Sequence, residues 1–416
     1  EYDILLFGVT GFTGKLATEY LKEKNYPIKW GVCGRNAAKV KDVLDKLGVD
    51  CPIEVADLVV EEGSEPYETL RGVVKKAKVV LTCAGPFERY GLALVRLCVE
   101  EGIHYADITG ESDFVRSNID QYHLKALEKG ACIVSHCGND CIPWDATVHA
   151  MFKLAKDKGY TLQECSTFTE LPPTVAASGG TITTALYQLG KKREGKGEGT
   201  FDALLMTNKG DKSEFAMKNT SPKGTKEFAE LKRSGEPWIM APVMANCVRR
   251  SNALLGYNEL LVYSECKLLP LNGSWWMRVK ETSYNLLVGA SVHLPFLSGL
   301  LVQPGEGPER EEMEKGWLKV YGMGLMKKGD EEAKIKTTFS FIKDTGYLQT
   351  AHMLVEAGML LVQNSKSNTC VPGVVTPAVA FGGEIVSRLE STIGAKFEIE
   401  VVPDGDLDSF LAWSKY

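Results

Sequence analysis

The sequence predicts an α/β protein, with a doubly wound parallel sheet over residues 1–155 and a mixed α+β domain after it. Three observations carry that prediction. Short apolar runs alternate with helical patterns through the first 150 residues. A glycine triplet, Gly8-Val9-Thr10-Gly11-Phe12-Thr13-Gly14, falls between the first apolar run and the first helical one. Past about residue 160 the alternation gives way to clustered strand patterns with fewer helices, as in a segregated α+β layer.

Taken in order, Ile4-Leu5-Leu6-Phe7 is an unbroken apolar run, which fits a strand covered on both faces. A helical stretch follows from Phe12 to Lys24. Ile28 to Cys33 repeats the strand pattern, and Asn36 is placed to N-cap a helix over Ala37 to Leu47. Further strands are expected at Ile53-Glu54-Val55, Val79-Val80-Leu81, His104-Tyr105-Ala106 and Cys132-Ile133-Val134. Helices between them are expected at Leu92 to Glu101 and Phe114 to Lys129. In the second domain, assigned to 156–345, Leu162 to Thr169 and Glu259 to Leu268 read as strands. Lys319 to Met326 and Ile335 to Ile342 read as a hairpin around Lys328-Gly329-Asp330-Glu331. Helices are expected at Thr181 to Gly190, Leu348 to Gln363 and Ala378 to Ile393, and residues 346–416 are expected to pack back on both domains. Lys191 to Gly199 and Gln303 to Glu309 carry the composition of exposed loops.

Composition narrows the function. The 416 residues are 44% hydrophobic and 25% charged, the balance of an ordinary globular protein. A net charge of −6 lacks the basic footprint of non-specific nucleic-acid binding, so no nucleic-acid partner is expected. Eleven cysteines are too sparse for a disulfide scaffold and form no Cys-x-x-Cys pair. With no secretory signal pattern they read as reduced thiols in an intracellular compartment, cytoplasmic or organellar.

The glycine loop is the strongest local signal. Between a strand and a helix, such glycines let the backbone approach a pyrophosphate at the helix N-terminus, as in a Rossmann-like domain. Gly8, Thr10, Gly11, Phe12, Thr13 and Gly14 are therefore the expected phosphate cradle. An acid at the tip of strand two would bond the ribose hydroxyls of NAD and repel a 2′-phosphate. The tip here is Val32-Cys33-Gly34-Arg35-Asn36, with no acid, and Arg35 can pair with a phosphate and stack on adenine. The expected cofactor is NADP(H), with Arg35 and Asn36 at its adenosine end and Asp57 as an adenine contact. Cys83, Ala84, Gly85 and Pro86, ending the fourth strand, belong beside the nicotinamide ribose.

The sequence resembles the saccharopine dehydrogenase-like oxidoreductases. The residues that carry the resemblance are the glycine loop, Cys33-Gly34-Arg35-Asn36, Ala84-Gly85-Pro86-Phe87 with Tyr90-Gly91, and Tyr105-Ala106-Asp107-Ile108-Thr109-Gly110-Glu111. Gly138-Asn139-Asp140-Cys141-Ile142-Pro143, Val248-Arg249-Arg250, Gly346-Tyr347 and Pro372-Gly373-Val374-Val375-Thr376-Pro377 continue it. The resemblance implies a Rossmann domain with a mixed second domain, and relatives that include saccharopine reductases and trans-acting, lipid-modifying enoyl reductases. Asn139 stands where relatives often carry Phe.

Hydride chemistry needs a proton donor near the nicotinamide. Tyr90, Asp107, Glu111 and Asp140 all follow strands at the ligand-binding edge, although each could instead cap a helix or bond a loop. Three Tyr-x-x-x-Lys matches, at Tyr20, Tyr187 and Tyr263, are set aside: chance alone supplies about two, and they fall in the helix after the glycine loop or beyond the nucleotide domain. His136, Cys137, Cys141 and His149 have ligand chemistry but no closed zinc spacing, so no metal is expected. Arg249-Arg250 could clamp a carboxylate or phosphate, or could be a solvated strand end. Strict saccharopine chemistry would need more cations than these two.

The run Thr282 to Gly305 carries no Asp, Glu, Lys or Arg. Pro295 and several polar residues argue against a spanning helix there. The run reads as buried core, or as an apolar loop that meets a membrane or lipid surface with Trp275-Trp276 as anchors. The expected partners are a small-molecule or lipid-like substrate, a peripheral membrane or membrane-complex contact through 282–305, and a second copy in a homodimer. The expected function is an NADP(H)-dependent oxidoreductase, the alternative a non-catalytic nucleotide-binding scaffold subunit.

Overall fold

The computed structural model describes residues 1–172, 177–194, 218–228, 231–238, 240–269, 302–303 and 305–402. The first sheet begins with β1 (Tyr2–Phe7), α1 (Phe12–Lys24), β2 (Trp30–Gly34), α2 (Ala37–Leu47) and β3 (Ile53–Val55). The chain then crosses through α3 (Glu65–Val74) to β4 (Ala77–Thr82), the short α4 (Phe87–Tyr90), α5 (Leu92–Glu101) and β5 (His104–Asp107). Next come α6 (Ser112–Lys129), β6 (Cys132–Val134) and α7 (Ile142–Asp157). Every strand pairing in this sheet is parallel.

The apolar runs have a direct structural reason. Ile4 and Leu6 point into a core shared with α1, while Leu5 and Phe7 point to the opposite core with α3, α5 and α6. A strand covered on both faces shows no alternation, and these four residues are at most 1% exposed.

The second sheet starts with β7 (Thr161–Glu170), followed by α8 (Gly179–Arg193), β8 (Lys218–Asn219), β9 (Lys226–Phe228) and β10 (Arg233–Glu236). After α9 (Ala241–Leu255) and β11 (Val262–Leu268) come α10 (Arg310–Glu314), β12 (Leu318–Lys328) and β13 (Glu331–Phe341). The chain ends in α11 (Leu348–Ser367), β14 (Gly373–Val375), α12 (Pro377–Phe381), α13 (Glu384–Ile393) and β15 (Lys396–Val402). Eight strands form this mixed sheet, in the order β15-β13-β12-β7-β11-β10-β9 with β8 also on β11. Its β12–β13 hairpin runs in register from Leu318 opposite Phe341 to Lys328 opposite Glu331, and Gly329 turns it at φ +63°.

The late elements return to both sheets. β14 pairs with β6 and completes a seven-stranded order β14-β6-β5-β4-β1-β2-β3. α11 packs on the first sheet beside α1, where fully buried Glu356 accepts hydrogen bonds from Tyr20, Tyr26 and Arg388 at 2.5–2.6 Å. β15 instead pairs with β13.

Three expectations need correction. The single helix expected over Ala378 to Ile393 is two, because Gly382 takes φ +54° and ψ −134° and breaks it. Arg249-Arg250 lies within helix α9, not at a strand end, and Arg250 is buried. Lys191, expected in a loop, belongs to α8, where its ammonium pairs with Glu88 and Asp113. Most of the apolar run 282–305, with Trp275 and Trp276, lies outside the described residues. Among the described residues no helix is long and apolar enough to cross a membrane.

Candidate functional site

The carboxyl ends of the parallel strands open into a cleft of about 1040 Å³, walled on its far side by α8, the start of α9 and the Gly346-Tyr347 turn. Ligands of open parallel sheets bind at this edge because the loops and helix N-termini converge there.

The glycine loop forms one end. Gly8 takes φ +87°, and a side chain on it would meet the Ala84 amide at 2.8 Å. A Cβ on Gly14 would lie 2.1 Å from the Gly8 carbonyl oxygen, so the loop and helix close on each other only without one. α1 starts at Gly11 with no side chain capping its free amides. Thr10, Gly11, Phe12 and Thr13 line the cleft with those amides, while Gly14 lies beneath them. This cradle fits a pyrophosphate. The residues 305–307 cross over the loop, held by Lys15 Nζ donating to the Gly305 carbonyl at 3.1 Å and by Gly307 against the Phe12 ring.

The tip of β2, expected at the adenosine end, forms another part of the cleft wall. Arg35 is exposed on the cleft wall and, among the described residues, has no ion pair. Lys39, which the sequence reading did not single out, lines the same wall. Its amide donates to Asn36 Oδ1 at 3.0 Å, so Asn36 is the N-cap of α2 as expected. Asp57 also lines this end while its Oδ1 accepts the Val59 amide. Cys83, Ala84 and Gly85 line the middle. Pro86 is buried as the residue before α4, and burial pushes the Cys83 thiol up to about 12.

The four proton-donor candidates separate. Asp107 is fully buried below the cleft and accepts hydrogen bonds from the Thr109 and His136 amides and from Ser135 Oγ. Glu111 lines the cleft, but its oxygens accept the Phe87 amide at 2.6 Å and the Glu88 amide at 2.9 Å, holding the N-terminus of α4. Burial raises the Glu111 carboxyl, and those amides oppose the shift. Tyr90 lines the wall beside them, with the Arg89 guanidinium over its ring. Asp140 faces the cleft with one side-chain hydrogen bond, from Asn139 Nδ2 at 3.1 Å, and burial pushes it up to about 6. Of the two candidate carboxyls that line the cleft, Asp140 holds no backbone amide whereas Glu111 holds two, which leaves Asp140 the freer to exchange a proton.

Next to Asp140 stands His136, at φ +66° and also on the cleft wall. Its Nδ1 lies 2.6 Å from the Thr109 carbonyl, which requires that nitrogen to carry a proton. Burial opposes the ring's charge, but Cys141, Asp107 and that carbonyl raise it to about 9. Opposite, Tyr347 accepts the Ser178 amide at 2.7 Å, bonds Thr181 at 2.9 Å, and meets the Phe12 ring edge-on at 5.5 Å. It ties α8 to the glycine loop, and sequence reading placed it only within the family resemblance. Phe87, Tyr90, Ile108, Met240 and Val243 supply an apolar wall between these polar groups.

The remaining candidates lie elsewhere. Arg250 is away from the cleft, its Nη2 donating to the Val374 carbonyl, so it clamps no cleft ligand. Cys137 is buried, and His149 bonds Tyr257 at the side of α7 remote from Cys141. Among the described residues no three His, Cys, Asp or Glu side chains are placed to share a metal ion. All eleven cysteines are free thiols.

Comparison with known proteins agrees with this layout. Residues 4–134 match the model of the saccharopine dehydrogenase NADP-binding domain. A trans-acting enoyl reductase of Mycobacterium tuberculosis strain H37Rv is 31% identical over 414 aligned residues, covering 94% of this chain and 96% of that protein. A trans-acting enoyl reductase of Mycobacterium ulcerans is likewise 31% identical, over 418 residues with 94% and 96% coverage. Among solved structures, apo saccharopine dehydrogenase (L-Glu forming) of Saccharomyces cerevisiae superposes with a TM-score of 0.56 at 12% identity. It covers 97% of this chain and 100% of its own, which shows the shared fold. The chain binds NADP(H).

Proposed function

This chain belongs to the saccharopine dehydrogenase-like oxidoreductase family, and from that premise we propose that it is an NADPH-dependent reductase of a carbon–carbon double bond conjugated to a lipid-like acyl group. It is an NADP(H)-binding oxidoreductase of a small-molecule substrate; the bond and the acyl class are the proposed part. The observation that carries the reading is the composition of the cleft. A basic, amide-lined end suits the dinucleotide, and an apolar wall with a near-neutral carboxyl suits an unsaturated chain. The names of the relatives agree with the same chemistry.

In this reading the glycine-loop amides hold the pyrophosphate, and Arg35 with Lys39 takes the 2′-phosphate. Bound NADPH supplies the hydride. Asp140 holds the balancing proton for the carbon next to the acyl carbonyl, and solvent recharges it. Asn139 orients the Asp140 carboxyl through its side-chain hydrogen bond. Phe87, Ile108, Met240 and Val243 keep water from the reacting bond. The uncharged run from Thr282 to Gly305 supports a lipid-facing use of the second domain. On that reading Phe296→Asp lowers co-flotation with anionic liposomes while NADPH binding stays intact.

The test is NADPH consumption against trans-2-enoyl thioesters of increasing chain length, beside imines and 2-keto acids. Turnover of the enoyl thioesters is expected. Asp140→Asn is expected to lower kcat by about 100-fold, within the usual range for a proton donor, with NADPH affinity unchanged. Turnover confined to imines or keto acids would refute the substrate class. Tight NADPH binding without turnover of any of them would return the chain to a scaffold role.

A further inference from the structure

Behind the cleft, α6, α9 and β14 enclose a separate cavity of about 10 Å³, with Val115, Ile119, His136, Asn246, Arg250 and Thr376 on its walls. That is room for one water or one monatomic ion. Arg250 enters it from α9 and is only 2% exposed. Its Nη2 donates to the Val374 carbonyl and to Nδ1 of His123, the latter at 3.1 Å. The same His123 nitrogen accepts the Val374 amide at 3.1 Å, so it carries no proton. Burial and the adjacent guanidinium hold His123 down to about 4, and the ring is neutral.

The rest of the guanidinium is unanswered. Nε and Nη1 have no hydrogen-bond partner, and no carboxylate among the described residues pairs with them. Asp145, the buried acid beside Thr376, already accepts Ser251 Oγ at 2.6 Å and the Ala378 amide at 2.8 Å. On the face of α6 that carries Val115 and Ile119, fully buried Asn118 leaves both amide atoms unpartnered. A buried cation without a counter-charge costs several kcal/mol, and Arg does not escape by losing its proton at ordinary pH. A water molecule would occupy the two donors but leave the charge.

We propose that this cavity is a binding site for a small monovalent anion, a halide such as chloride, held by Nε and Nη1 of Arg250. The bound ion ties α9 to α6 and β14. It also lies behind His136, which lines both this cavity and the cleft.

The test is thermal melting of the full chain as chloride replaces isethionate at constant ionic strength. A saturable rise in Tm on the order of 5 °C is expected, since an ion that binds only the folded state stabilises it by mass action. Arg250→Met is expected to melt identically in the two salts. Where that variant fails to fold, wild-type crystals grown in bromide keep the proposal testable. An anomalous peak within hydrogen-bond reach of Arg250 supports it. Equal melting of the wild type in both salts, a chloride shift retained by Arg250→Met, or a cavity holding water alone in the bromide crystal overturns it.

Discussion

Arg35 stands exposed on the cleft wall at the tip of β2 with no carboxylate paired to it among the described residues, and on the proposed reading cofactor choice turns on it. A charge-assisted hydrogen bond contributes about 1.5–3 kcal/mol. Arg35→Ala should therefore weaken NADPH binding by roughly 10- to 150-fold and leave NADH binding unchanged, as read by calorimetry. Equal losses for both cofactors would move the 2′-phosphate contact to another residue. Asp140 sets a pH dependence of its own. Pushed up to about 6, it is protonated below that value and ionised above it. In the proposed role of proton donor it should make kcat fall as pH rises through about 6, and in Asp140→Asn that limb of the profile should be absent. Asp145 acts on stability instead. Burial raises its carboxyl to about 6, against roughly 3.9 in an unfolded chain. Between those values the folded state binds the extra proton, so stability declines as pH rises from about 4 to about 6. Urea unfolding at the two ends of that window should show the decline in the wild type and a smaller one in Asp145→Asn. At this scale the glycine loop and the Arg35 tip were legible because each is contiguous in sequence and sits at a strand end. The roles of Asp107 and Glu111 were not. Apart from the Thr109 amide, two residues from Asp107, the amides that hold them belong to residues 87, 88 and 136, which only the fold brings near. Lys39 left no motif at all, and Tyr347 showed only within the family resemblance, without a role.

Among the elements, the hairpin β12–β13 and the five strands of the first sheet that precede residue 110 could be read directly, since turn glycines and apolar runs mark their limits. The break between α12 and α13 was hidden by periodicity. Ala378, Val379, Ile385, Val386, Leu389 and Ile393 are all buried, and their apolar spacing runs on across the Gly382-Gly383 pair. The two glycines differ. Gly382 has φ +54° with ψ −134°, a region nearly closed to other residues, whereas Gly383 has φ −76° and open space around its Cα. Gly382→Ala should destabilise the chain by about 1–3 kcal/mol, and Gly383→Ala should be neutral or slightly stabilising. Urea midpoints measure both, and equal effects would mean that the helix break does not depend on Gly382. α9 was misread for another reason. Paired arginines look like a solvated terminus, yet one of them turns inward to the Val374 carbonyl on a strand more than a hundred residues away.

For the whole molecule, the nucleotide-binding sheet is not the product of its own contiguous stretch. α11 covers one face of it and β14 forms one edge. Residues 1–155 expressed alone should therefore expose the side chains that α11 buries, such as Leu81 and Ala106, and bind a hydrophobic dye or aggregate. A soluble fragment with cooperative melting would show that α11 and β14 are dispensable. The placement of β14 also sets a clock on synthesis. Its partner β6 ends at Val134, and β14 begins about 240 residues later. At roughly 5–20 residues per second, a ribosome needs on the order of 12 to 50 s to deliver it. Throughout that interval the nascent chain carries an open strand edge at Cys132–Val134, the kind of template on which chains misassemble, and a holding chaperone would find its natural client there.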